Sequence, residues 1–597
     1  MTRRTGLGVV GVLACGLLFR WGADSLDTWP LMVAAGIGLA ACAYWIRDAA
    51  PRVWIVVVMA VLLRLLLFSL PPSLSDDSYR YAWDGQLVAE GINPYQYVPS
   101  DEALRSFRAH PGYDSLNSAG FYSVYPPASQ AVFVAAHWLS GGAFPASFYV
   151  LKALVLVAEL AALLLLARIV SPWLLLVFAT HPMALLSGAG QAHTDALLAL
   201  PVVAAVWAAR RDRWSWVGAA VAVAAHVKLW PVLAAPAFLR KPRAVATGFL
   251  VGAGLAAPFV APYVWAHVSE SLNLYVRYFE FNAGPYYAAK EVFRLFTGDD
   301  WSKQLGPAFR WLFLGGAGVL LWTAWRARWT LESVLYGLVF LLTVTATTVH
   351  PWYLYGVLLL AVLTGRHVAA WSWLSAWSIG TYLLYTGGPY WVFVVVAWTG
   401  FALLLLPSCA QWALKRRAVW KASWVSAFAG GNSWLDVGGG EGYVAAELRQ
   451  RHGKEVTVLE TEDRTDGLAD MLLYDGEVMP LPARSIDAAC AVFVLHHVDN
   501  PGGLLREMAR VSRGPVIVVE SVLRGDVDRH VLPVLDRLAN FWRAPSRAAW
   551  KEHSSFRSAA DWRALFADAG FQVTAESIRY SPLHAKHLWR LTSRDAV

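Results

Sequence analysis

Long apolar stretches alternate with short basic segments over about the first 400 residues of the chain. The first apolar stretches lie near 6–20, 30–46 and 53–70, and others recur until about Pro407. Stretches of this length and composition predict membrane-spanning helices. One long polar loop, at 71–127, interrupts the series. The pattern therefore predicts a polytopic α-helical membrane domain with a large loop near its start.

The positions of the basic residues predict the orientation of this domain. Arg47 and Arg52 lie between the second and third apolar stretches, and three basic residues at 415–417 follow the last stretch. Because positively charged loops stay on the cytoplasmic side, we expect the N-terminus and the C-terminal part to be cytoplasmic. The loops 71–127 and 263–306 are then extracytoplasmic. We expect a multi-pass protein of the plasma (inner) membrane, and the helix count between the two loops stays open.

After about Trp424 the pattern becomes that of a globular α/β domain. Short apolar runs at 434–437, 456–459, 488–495 and 516–519 alternate with helix-like segments. This alternation predicts a mostly parallel sheet with helices on both faces.

Composition changes this division little. The net charge of +8 is explained by the basic loops between apolar stretches, so we expect no nucleic-acid partner. The four cysteines are scattered without the spacing of metal ligands, and we expect no metal site.

The predicted domains are N-terminal transmembrane helices at 1–52, the membrane domain at 53–410, a cytoplasmic linker at 411–431 and the α/β domain at 432–597.

A glycine-rich loop follows the first predicted strand of the α/β domain, in the run WLDVGGGEG at 434–442. Glycine lets the backbone approach a ligand closely, although such a loop can also be a purely structural turn. Glu460 ends the next predicted strand, where a carboxylate can accept hydrogen bonds from ribose hydroxyls. Asp436, before the first glycine, suits the cationic amino-acid tail of S-adenosylmethionine and opposes a pyrophosphate. The candidate loop glycines are Gly438, Gly440 and Gly442.

This segment resembles the class I S-adenosylmethionine-dependent methyltransferases of the small-molecule branch. Their first loop typically reads LDVGCGTG, where this chain has LDVGGGEG, and their GDAEALPF corresponds to YDGEVMPL at 474–481. Gly439 replaces the usual cysteine. The resemblance covers about 432–595 and implies a Rossmann-like fold with S-adenosylmethionine as cofactor. It further implies that Asp475 accepts from the adenine amino group and that the Gly476 backbone N–H meets the adenine ring.

The methyl-transfer base stays unassigned at this stage. His496 and His497 follow the fourth predicted strand, where an acceptor would approach, but a histidine there more often has a packing role. The insert 522–557 is expected to form a lid, and it carries Glu552 and His553 as a second weak candidate pair.

The first polar loop combines carboxylates with aromatic residues. It opens with SDDSYRYAWDG at 75–85 and continues through GINPY to YPP at 125–127. A carboxylate just outside a membrane helix is well placed to act as a base on an acceptor hydroxyl. Tryptophan and tyrosine offer flat faces to sugar rings and also suit a membrane interface. Asp76 and Asp77 could instead cap an amphipathic helix.

These motifs resemble the integral-membrane C-type glycosyltransferases, notably the bacterial polyprenyl-phosphate-dependent mannosyltransferases. QAHTD at 191–195 and HPWY at 350–353 are similar to later motifs of the same group. The resemblance covers about 53–406 and implies a lipid-phosphate sugar donor, an outward-facing site and an aspartate base with inversion. It implies Asp77 or Asp76 as that base, and Asp84 as a supporting or acceptor-binding residue. The candidate cations for the donor phosphate are Arg80, Lys228, Arg277 and Lys290.

The two resemblances together predict a bifunctional enzyme of a glycan or glycolipid pathway. We expect glycosyl transfer, with mannose as the sugar, from a polyprenyl-phosphate donor to a glycan or lipid acceptor on the outer face. S-adenosylmethionine-dependent methylation is expected on the cytoplasmic face. The expected partners are membrane lipids, the lipid-phosphate sugar donor and the acceptor. The alternative is a membrane-anchored methyltransferase with an inactive or lipid-carrying membrane domain.

Overall fold

The chain forms two compact units, Met1–Leu405 and Leu406–Val597. The computed structural model describes residues 3–24, 29–47, 52–72, 74–109, 112–116, 118–277, 279–462, 468–540, 555–580 and 584–594.

The regular elements described in the first unit are all helices. Its α-helices are α1 (Arg3–Gly22), α2 (Trp29–Arg47), α3 (Val53–Phe68), α4 (Asp77–Ala89), α5 (Pro127–Leu139), α6 (Ala146–Leu166), α7 (Pro172–Thr180), α8 (Pro182–Leu185), α9 (Thr194–Leu197), α10 (Ala199–Ala209), α11 (Trp214–Val227), α12 (Pro242–Ala256), α13 (Val264–Arg277), α14 (Gly284–Thr297), α15 (Ser302–Ala327), α16 (Leu331–Thr345), α17 (Leu354–Thr364), α18 (Val368–Ser378) and α19 (Tyr390–Ser426), the last of which crosses the unit boundary. Short 3₁₀ or π segments lie at Glu102–Ala109, Tyr113–Ser115, Leu186–Gly190, Trp230–Phe238, Ala257–Phe259, Pro351–Tyr353 and Ile379–Thr386.

Apolar helices of membrane-spanning length confirm a membrane protein. Among the described residues, α6, α15 and α19 are long and apolar enough to cross a bilayer. Two helix pairs qualify only when each is counted as one bent span: 172–190, bent by 57°, and 242–273, bent by 93°. The three stretches predicted before the first loop are α1, α2 and α3, whose apolar parts are shorter than 18 residues.

The apolar stretch 214–239 is divided into two elements at Lys228. Helix α11 ends at Val227, and Lys228 follows in an extended conformation before a 3₁₀ segment begins at Trp230. Pro231 and Pro236 lie in that segment. Because proline donates no backbone hydrogen bond and clashes with the preceding turn, an α-helix does not continue through this sequence. The break places Lys228 at a helix end.

One buried ion pair and one buried lysine cross-link the membrane helices. Arg64 on α3 lies 3.4 Å from the carboxylate of Glu159 on α6. The Tyr355 hydroxyl on α17 donates to the same carboxylate at 2.8 Å. Lys152 on α6 donates to the backbone oxygen of Leu70 at 2.8 Å. Leu70 lies just after α3, so this bond gives a partner to a carbonyl group beyond the end of that helix. Charges inside apolar helices are retained when they are paired or bound to backbone carbonyls, so these groups hold α3, α6 and α17 together.

The second unit is a mixed sheet flanked by helices. Its strands are β1 (Ser433–Val437), β2 (Glu455–Glu460), β3 (Asp470–Leu473), β4 (Ala488–Val492), β5 (Val516–Leu523), β6 (Arg557–Ser558), β7 (Phe571–Tyr580) and β8 (Ala585–Ser593). The helices are α20 (Tyr443–His452), α21 (Pro501–Val511), α22 (Asp526–Asn540) and α23 (Ala559–Asp568). The strand order is β3-β2-β1-β4-β5-β8-β7, with β6 beside β5. Strands β1 to β6 pair in parallel, and β8 is antiparallel to both of its neighbours. This arrangement confirms the predicted α/β fold.

The end of α19 is part of the core of this second unit. Ala418, Ala422 and Val425 are buried in one hydrophobic cluster with residues of β1 and β2. The indole N–H of Trp424 donates to Ser577 on β7 at 3.1 Å. Most of the segment 411–431, predicted as a linker, is therefore helix, and its last turns pack against the sheet.

Candidate active sites

The carboxylate of Asp77 lies in a buried polar cluster of the membrane domain. Asp77 is the first residue of α4, and Asp76 is its N-cap residue. One helical turn on, the Tyr81 hydroxyl donates to Asp77 Oδ2 at 3.4 Å. His193 Nδ1 lies 3.6 Å from the same oxygen, and the Asp77 side chain is 21% exposed. Asp77 therefore accepts a hydrogen bond from Tyr81 and lies beside His193, while part of its side chain stays accessible.

Three parallel rings extend the cluster away from Asp77. The His193 ring stacks on Trp352 with a centroid distance of 4.2 Å. Trp352 stacks in turn on His350 at 4.5 Å, with an angle of 7° between the rings. The first-loop motif, the QAHTD motif and the HPWY motif thus meet at one place. No local pattern pairs the two histidines, because they are far apart along the chain.

Lys228 brings a positive charge to the same place. Its Nζ lies 2.9 Å from Asp195, the last residue of the QAHTD motif, and 4.3 Å from the ring centroid of Tyr353. The side chain of Lys228 is 24% exposed. Lys228 therefore remains partly available to an anion in addition to Asp195.

The other candidate cations have different environments. Arg80 is buried and its Nε donates to Asp84 at 2.8 Å. Lys290 pairs with Glu280 at 2.9 Å. The side chain of Arg277 lies outside the described residues.

Asp84 is fully buried in a closed network. In addition to Arg80, Ser123 Oγ and Gln130 Nε2 donate to it, the latter at 3.0 Å. Arg80 also donates to the backbone oxygen of Phe121 at 3.0 Å. A carboxylate with this many partners is well suited to fixing α4 against α5 and the loop.

His193 is buried with no hydrogen bond at either ring nitrogen among the described residues. Buried polar atoms normally have a partner, and one without a partner requires an explanation. The nearest charged group is the Asp77 carboxylate, so a ligand bound at Asp77 would also come within reach of His193. The cluster combines a carboxylate, a cation and stacked rings, which suits a phosphorylated, hydroxyl-bearing ligand.

In the second unit, the glycine loop leaves β1 and leads into α20. Gly438, Gly440 and Gly442 have φ values of +66°, +59° and +81°, a region that non-glycine residues rarely adopt. A Cβ at Gly438 would lie 2.6 Å from Val494, which follows β4. The loop therefore needs glycine both for its conformation and for its close packing.

Asp436 fits a cationic ligand at this loop. Its side chain is 1% exposed, and its Oδ2 atom has no hydrogen-bond partner among the described residues. Burial raises the pKa of Asp436 to about 7. A buried, unpartnered carboxylate oxygen beside the glycine loop suits the amino-acid end of S-adenosylmethionine, which carries a positive charge.

Glu460 and Asp475 lie on the same side of the sheet end. Glu460 ends β2 and accepts a hydrogen bond from the Gly440 backbone N–H at 2.6 Å. Asp475 is exposed, and its Oδ1 atom accepts from the backbone N–H groups of Glu477 and Val478 at 2.9 and 3.0 Å. These two bonds lower the pKa of Asp475. Gly476 follows with a φ of +94°.

A second group of side chains surrounds His496. Its Nδ1 atom bonds to Glu520 at 2.6 Å, and its Nε2 atom lies 3.7 Å from Asp536 on α22. His497 Nε2 lies 3.5 Å from the other oxygen of Asp536. Burial lowers the pKa of His496, but the two carboxylates outweigh it and raise the pKa to about 9. Glu552 and His553, the other candidate pair, lie outside the described residues.

Two family models match separate parts of the chain. Residues 413–576 match the model described as a methyltransferase domain, and residues 123–351 match that of glycosyltransferase family 87. The first match includes the end of α19. The second includes His193, Asp195, Lys228 and His350 but begins after Asp77.

Several solved structures are similar to the C-terminal part. A putative methyltransferase of Haloferax volcanii, in complex with a Trm112 activator, is 15% identical, with 32% of this chain and 95% of that one covered and a TM-score of 0.26. A methyltransferase of Thermotoga maritima is 17% identical, with 31% and 96% covered and a TM-score of 0.24. The magnesium protoporphyrin IX methyltransferase of Synechocystis, with bound S-adenosylhomocysteine, is 15% identical, with 30% and 82% covered and a TM-score of 0.23. No protein of curated function matches the chain.

The chain is a membrane enzyme built from two transferase domains. Its membrane part carries a glycosyltransferase family 87 domain, and its C-terminal part is an S-adenosylmethionine-dependent methyltransferase domain. Glycosyltransferase and methyltransferase activities are the functions that these domains support.

Proposed function

We propose that the membrane domain transfers a sugar, mannose being the expected one, from a polyprenyl-phosphate donor to a hydroxyl of a glycan or lipid acceptor. The methyltransferase domain would modify its own acceptor with S-adenosylmethionine. The observation that carries the first half is the cluster in which Asp77 lies beside His193 while Lys228 and Asp195 pair nearby. Sugar transfer from a lipid phosphate needs a base for the hydroxyl and a cation for the phosphate, and this cluster offers both.

In the proposed reaction, Asp77 takes the proton of the acceptor hydroxyl as that oxygen attacks the anomeric carbon. The bond from the anomeric carbon to the phosphate oxygen breaks, and its electron pair leaves with the lipid phosphate. Attack from the side opposite the leaving group inverts the anomeric centre. Lys228 would balance the charge that develops on the phosphate. His193 would bind a polar group of the substrate, because its ring nitrogens have no partner among the described residues.

Asp77 is preferred to the other two candidate aspartates because of its surroundings. Asp84 is fully buried and engaged by Arg80, Ser123 and Gln130, so its role is to position α4. Asp76 is the N-cap residue, half-buried at the start of the helix. Asp77 alone of the three lies within 4 Å of His193.

The test is sugar transfer by the full-length protein in membranes, with a labelled polyprenyl-phosphate mannose as donor. A positioned base typically contributes about 10²- to 10⁴-fold, so we expect Asp77→Asn to lower the rate by that factor. Asp114→Asn is the matched control, because Asp114 lies exposed in the same loop. S-adenosylmethionine binding by the same preparations reports whether the protein is intact.

Near wild-type transfer by Asp77→Asn, Asp76→Asn and the double variant would reject an aspartate base at this position. Failure of the wild-type protein to use any polyprenyl-phosphate sugar would favour the anchored-methyltransferase alternative.

For the methyltransferase half, the proposed cofactor ligands are Asp436 at the amino-acid end, Glu460 at the ribose and Asp475 with Gly476 at the adenine. The proposal is supported by the unpartnered Asp436 oxygen and by the meeting of the glycine loop and the end of β2. We propose that this half works on the cytoplasmic face, where S-adenosylmethionine is present, and that the loop 71–127 faces outward.

A further inference from the structure

Two histidines and one aspartate in the methyltransferase domain direct three ligand atoms at one point. His496 and His497 follow β4 in a 3₁₀ turn, and Asp536 lies on α22. One atom from each residue can be chosen so that all three lie within 4.8 Å of one another. The cluster is separate from the cofactor ligands proposed above.

The distances within this cluster are unusual for hydrogen bonds. The two histidine-to-carboxylate distances, for His496 and His497, are 3.7 and 3.5 Å, whereas N–H···O bonds measure about 2.7 to 3.2 Å. Ligand atoms bound tetrahedrally to one ion at about 2.1 Å lie about 3.4 Å apart. The two measured distances run to different oxygens of Asp536. Each is longer than a direct hydrogen bond and close to the distance between two ligand atoms of one ion.

The environment of His496 prepares one ring nitrogen for a metal. Glu520 is fully buried on β5, and its Oε2 atom bonds to His496 Nδ1 at 2.6 Å. Its Oε1 atom accepts from the backbone N–H groups of Val494 and Leu495 at 3.0 and 2.7 Å. With the carboxylate fixed in this way, Nδ1 keeps its hydrogen on the side of Glu520. An ion that displaces the proton of Nε2 would then use the lone pair of that atom.

The Nε2 atom of His496 points to a bound ion independently of the distances within the cluster. The residue is 2% exposed, and this atom has no hydrogen-bond partner in the part of the chain that the structure describes. A buried imidazole nitrogen without a partner is costly, and an ion between the three residues would supply one. The carboxylates of Glu520 and Asp536 provide the negative charge that a dication needs.

We infer that His496, His497 and Asp536 bind a divalent transition-metal ion of the Zn²⁺ type, with Glu520 orienting His496. Three protein ligands leave a coordination position open, which is the arrangement of catalytic rather than structural sites. The side chains of His497 and Asp536 are 30% and 21% exposed, so the open position is accessible. An oxygen of the methyl acceptor is the ligand that fits there.

The site lies next to the cofactor loop. Val494, two residues before His496, packs against Gly438 closely enough that a Cβ there would lie 2.6 Å away. A role of the ion toward the methyl acceptor rests on the function proposed for this domain, but binding of the ion does not. Metal binding and S-adenosylmethionine binding can therefore be measured separately. A failure to bind the ion would contradict this inference, and a failure to bind S-adenosylmethionine would contradict the proposed function.

The test uses the full-length protein without an affinity tag, purified in detergent, stripped with a chelator and titrated with Co²⁺. We expect one Co²⁺ per chain, with the strong visible absorption of a tetrahedral site, displaced by Zn²⁺. Asp536→Asn and His497→Ala should each abolish the absorption. Glu520→Gln should weaken Zn²⁺ binding about 10- to 100-fold, because it removes the charge of the carboxylate that orients His496 but leaves all three ligands in place.

His530→Ala is the matched control, because His530 is exposed on the same helix as Asp536. Calorimetric binding of S-adenosylmethionine, unchanged in every variant, shows that the domain is folded. A wild-type protein that shows no tetrahedral Co²⁺ absorption while binding S-adenosylmethionine would overturn the inference. Equal absorption in Asp536→Asn, His497→Ala and the wild type would overturn it as well.

Discussion

At the scale of single residues, Glu460 connects a strand of the methyltransferase domain to its glycine loop. Its carboxylate accepts from the Gly440 backbone N–H at 2.6 Å, and its own backbone oxygen accepts from Tyr474 at 3.0 Å. The side chain thus joins the end of β2 to the glycine loop. A ribose bound there would meet a carboxylate that is already held in place.

Glu460→Ala is expected to weaken S-adenosylmethionine binding by about 1–3 kcal/mol, because the ribose hydroxyls and the Gly440 N–H lose their acceptor. The measurement is isothermal titration calorimetry on the full-length protein in detergent. Glu455→Ala is the control, since Glu455 is exposed at the start of the same strand. Equal affinities of wild type and Glu460→Ala would remove Glu460 from the cofactor site.

The sequence identified the types of residue at these sites better than their roles. It selected Asp76, Asp77 and Asp84 together, because all three lie in one motif. The resemblance gives Asp84 a supporting or acceptor-binding role, but the partners that hold it, from α5 and from the loop before it, are seen only in the structure. Tertiary packing brings such partners together, and a local sequence pattern does not predict tertiary packing. His496 and His497 were named from the sequence, but Asp536 was not, because it lies on a helix that follows a further strand.

At the scale of elements, α4 depends on a close approach to α5. A Cβ on Gly85 of α4 would lie 2.5 Å from the backbone oxygen of Phe133 on α5. Real side chains do not come this close to backbone, so any larger residue at 85 must push the helices apart. Because Asp77 begins α4 and Asp84 ties it to α5, such a shift would move the proposed base.

Gly85→Ala is therefore expected to destabilise the membrane domain by about 1–3 kcal/mol and to lower sugar transfer. Gly120→Ala is the control and should have little effect on either property. Gly120 lies in the loop that leads from α4 to α5, and a Cβ there would have no atom within 4 Å. Thermal unfolding in detergent and the transfer assay measure the two effects. Unchanged unfolding and transfer in Gly85→Ala would contradict the close packing of α4 and α5.

The predicted elements were most accurate where the apolar pattern was regular. The runs 434–437 and 456–459 lie within β1 and β2, because buried parallel strands are continuous apolar segments. At 214–239 the apolar composition does not by itself show where a helix ends. In the structure, α11 ends at Val227, before Lys228 and two prolines. The end of α19 was predicted as a linker, because its buried residues are few and spaced among basic ones.

At the scale of the whole molecule, the two activities need different substrates. A polyprenyl-phosphate sugar is dissolved in the bilayer, whereas S-adenosylmethionine is water-soluble. The proposed topology places the loop 71–127 outside and the methyltransferase domain inside, so that each site meets its own donor. The basic residues Arg52 and 415–417 are the sequence evidence for this orientation.

Cysteine labelling of intact cells tests the sidedness. In a variant without the four native cysteines, Ser100→Cys is expected to react with a membrane-impermeant maleimide, and Ala567→Cys is expected to react only after lysis. Both positions are exposed, one in the first loop and the other in the methyltransferase domain. Reaction of Ala567→Cys but not Ser100→Cys in intact cells would reverse the topology.

The division into a helical membrane part and a globular α/β part was predictable from composition, because apolar content changes abruptly after about Pro407. The assembly of the membrane cluster was not. Asp77, His193 and His350 come from segments far apart in the chain, and their contact depends on how α3, α6 and α17 pack. Buried groups such as Arg64 and Glu159 fix that packing, and their pairing has no local signature.

The participation of α19 in the methyltransferase core restricts how a gene for this chain could be divided. A break after Ala418 would leave the α/β domain without residues that fill its core. A break before Pro407 would cut through an apolar helix of spanning length. A break between these two positions would still divide α19, which is one helix from Tyr390 to Ser426. Two products made by dividing this chain at any of these positions would therefore each carry only a part of α19.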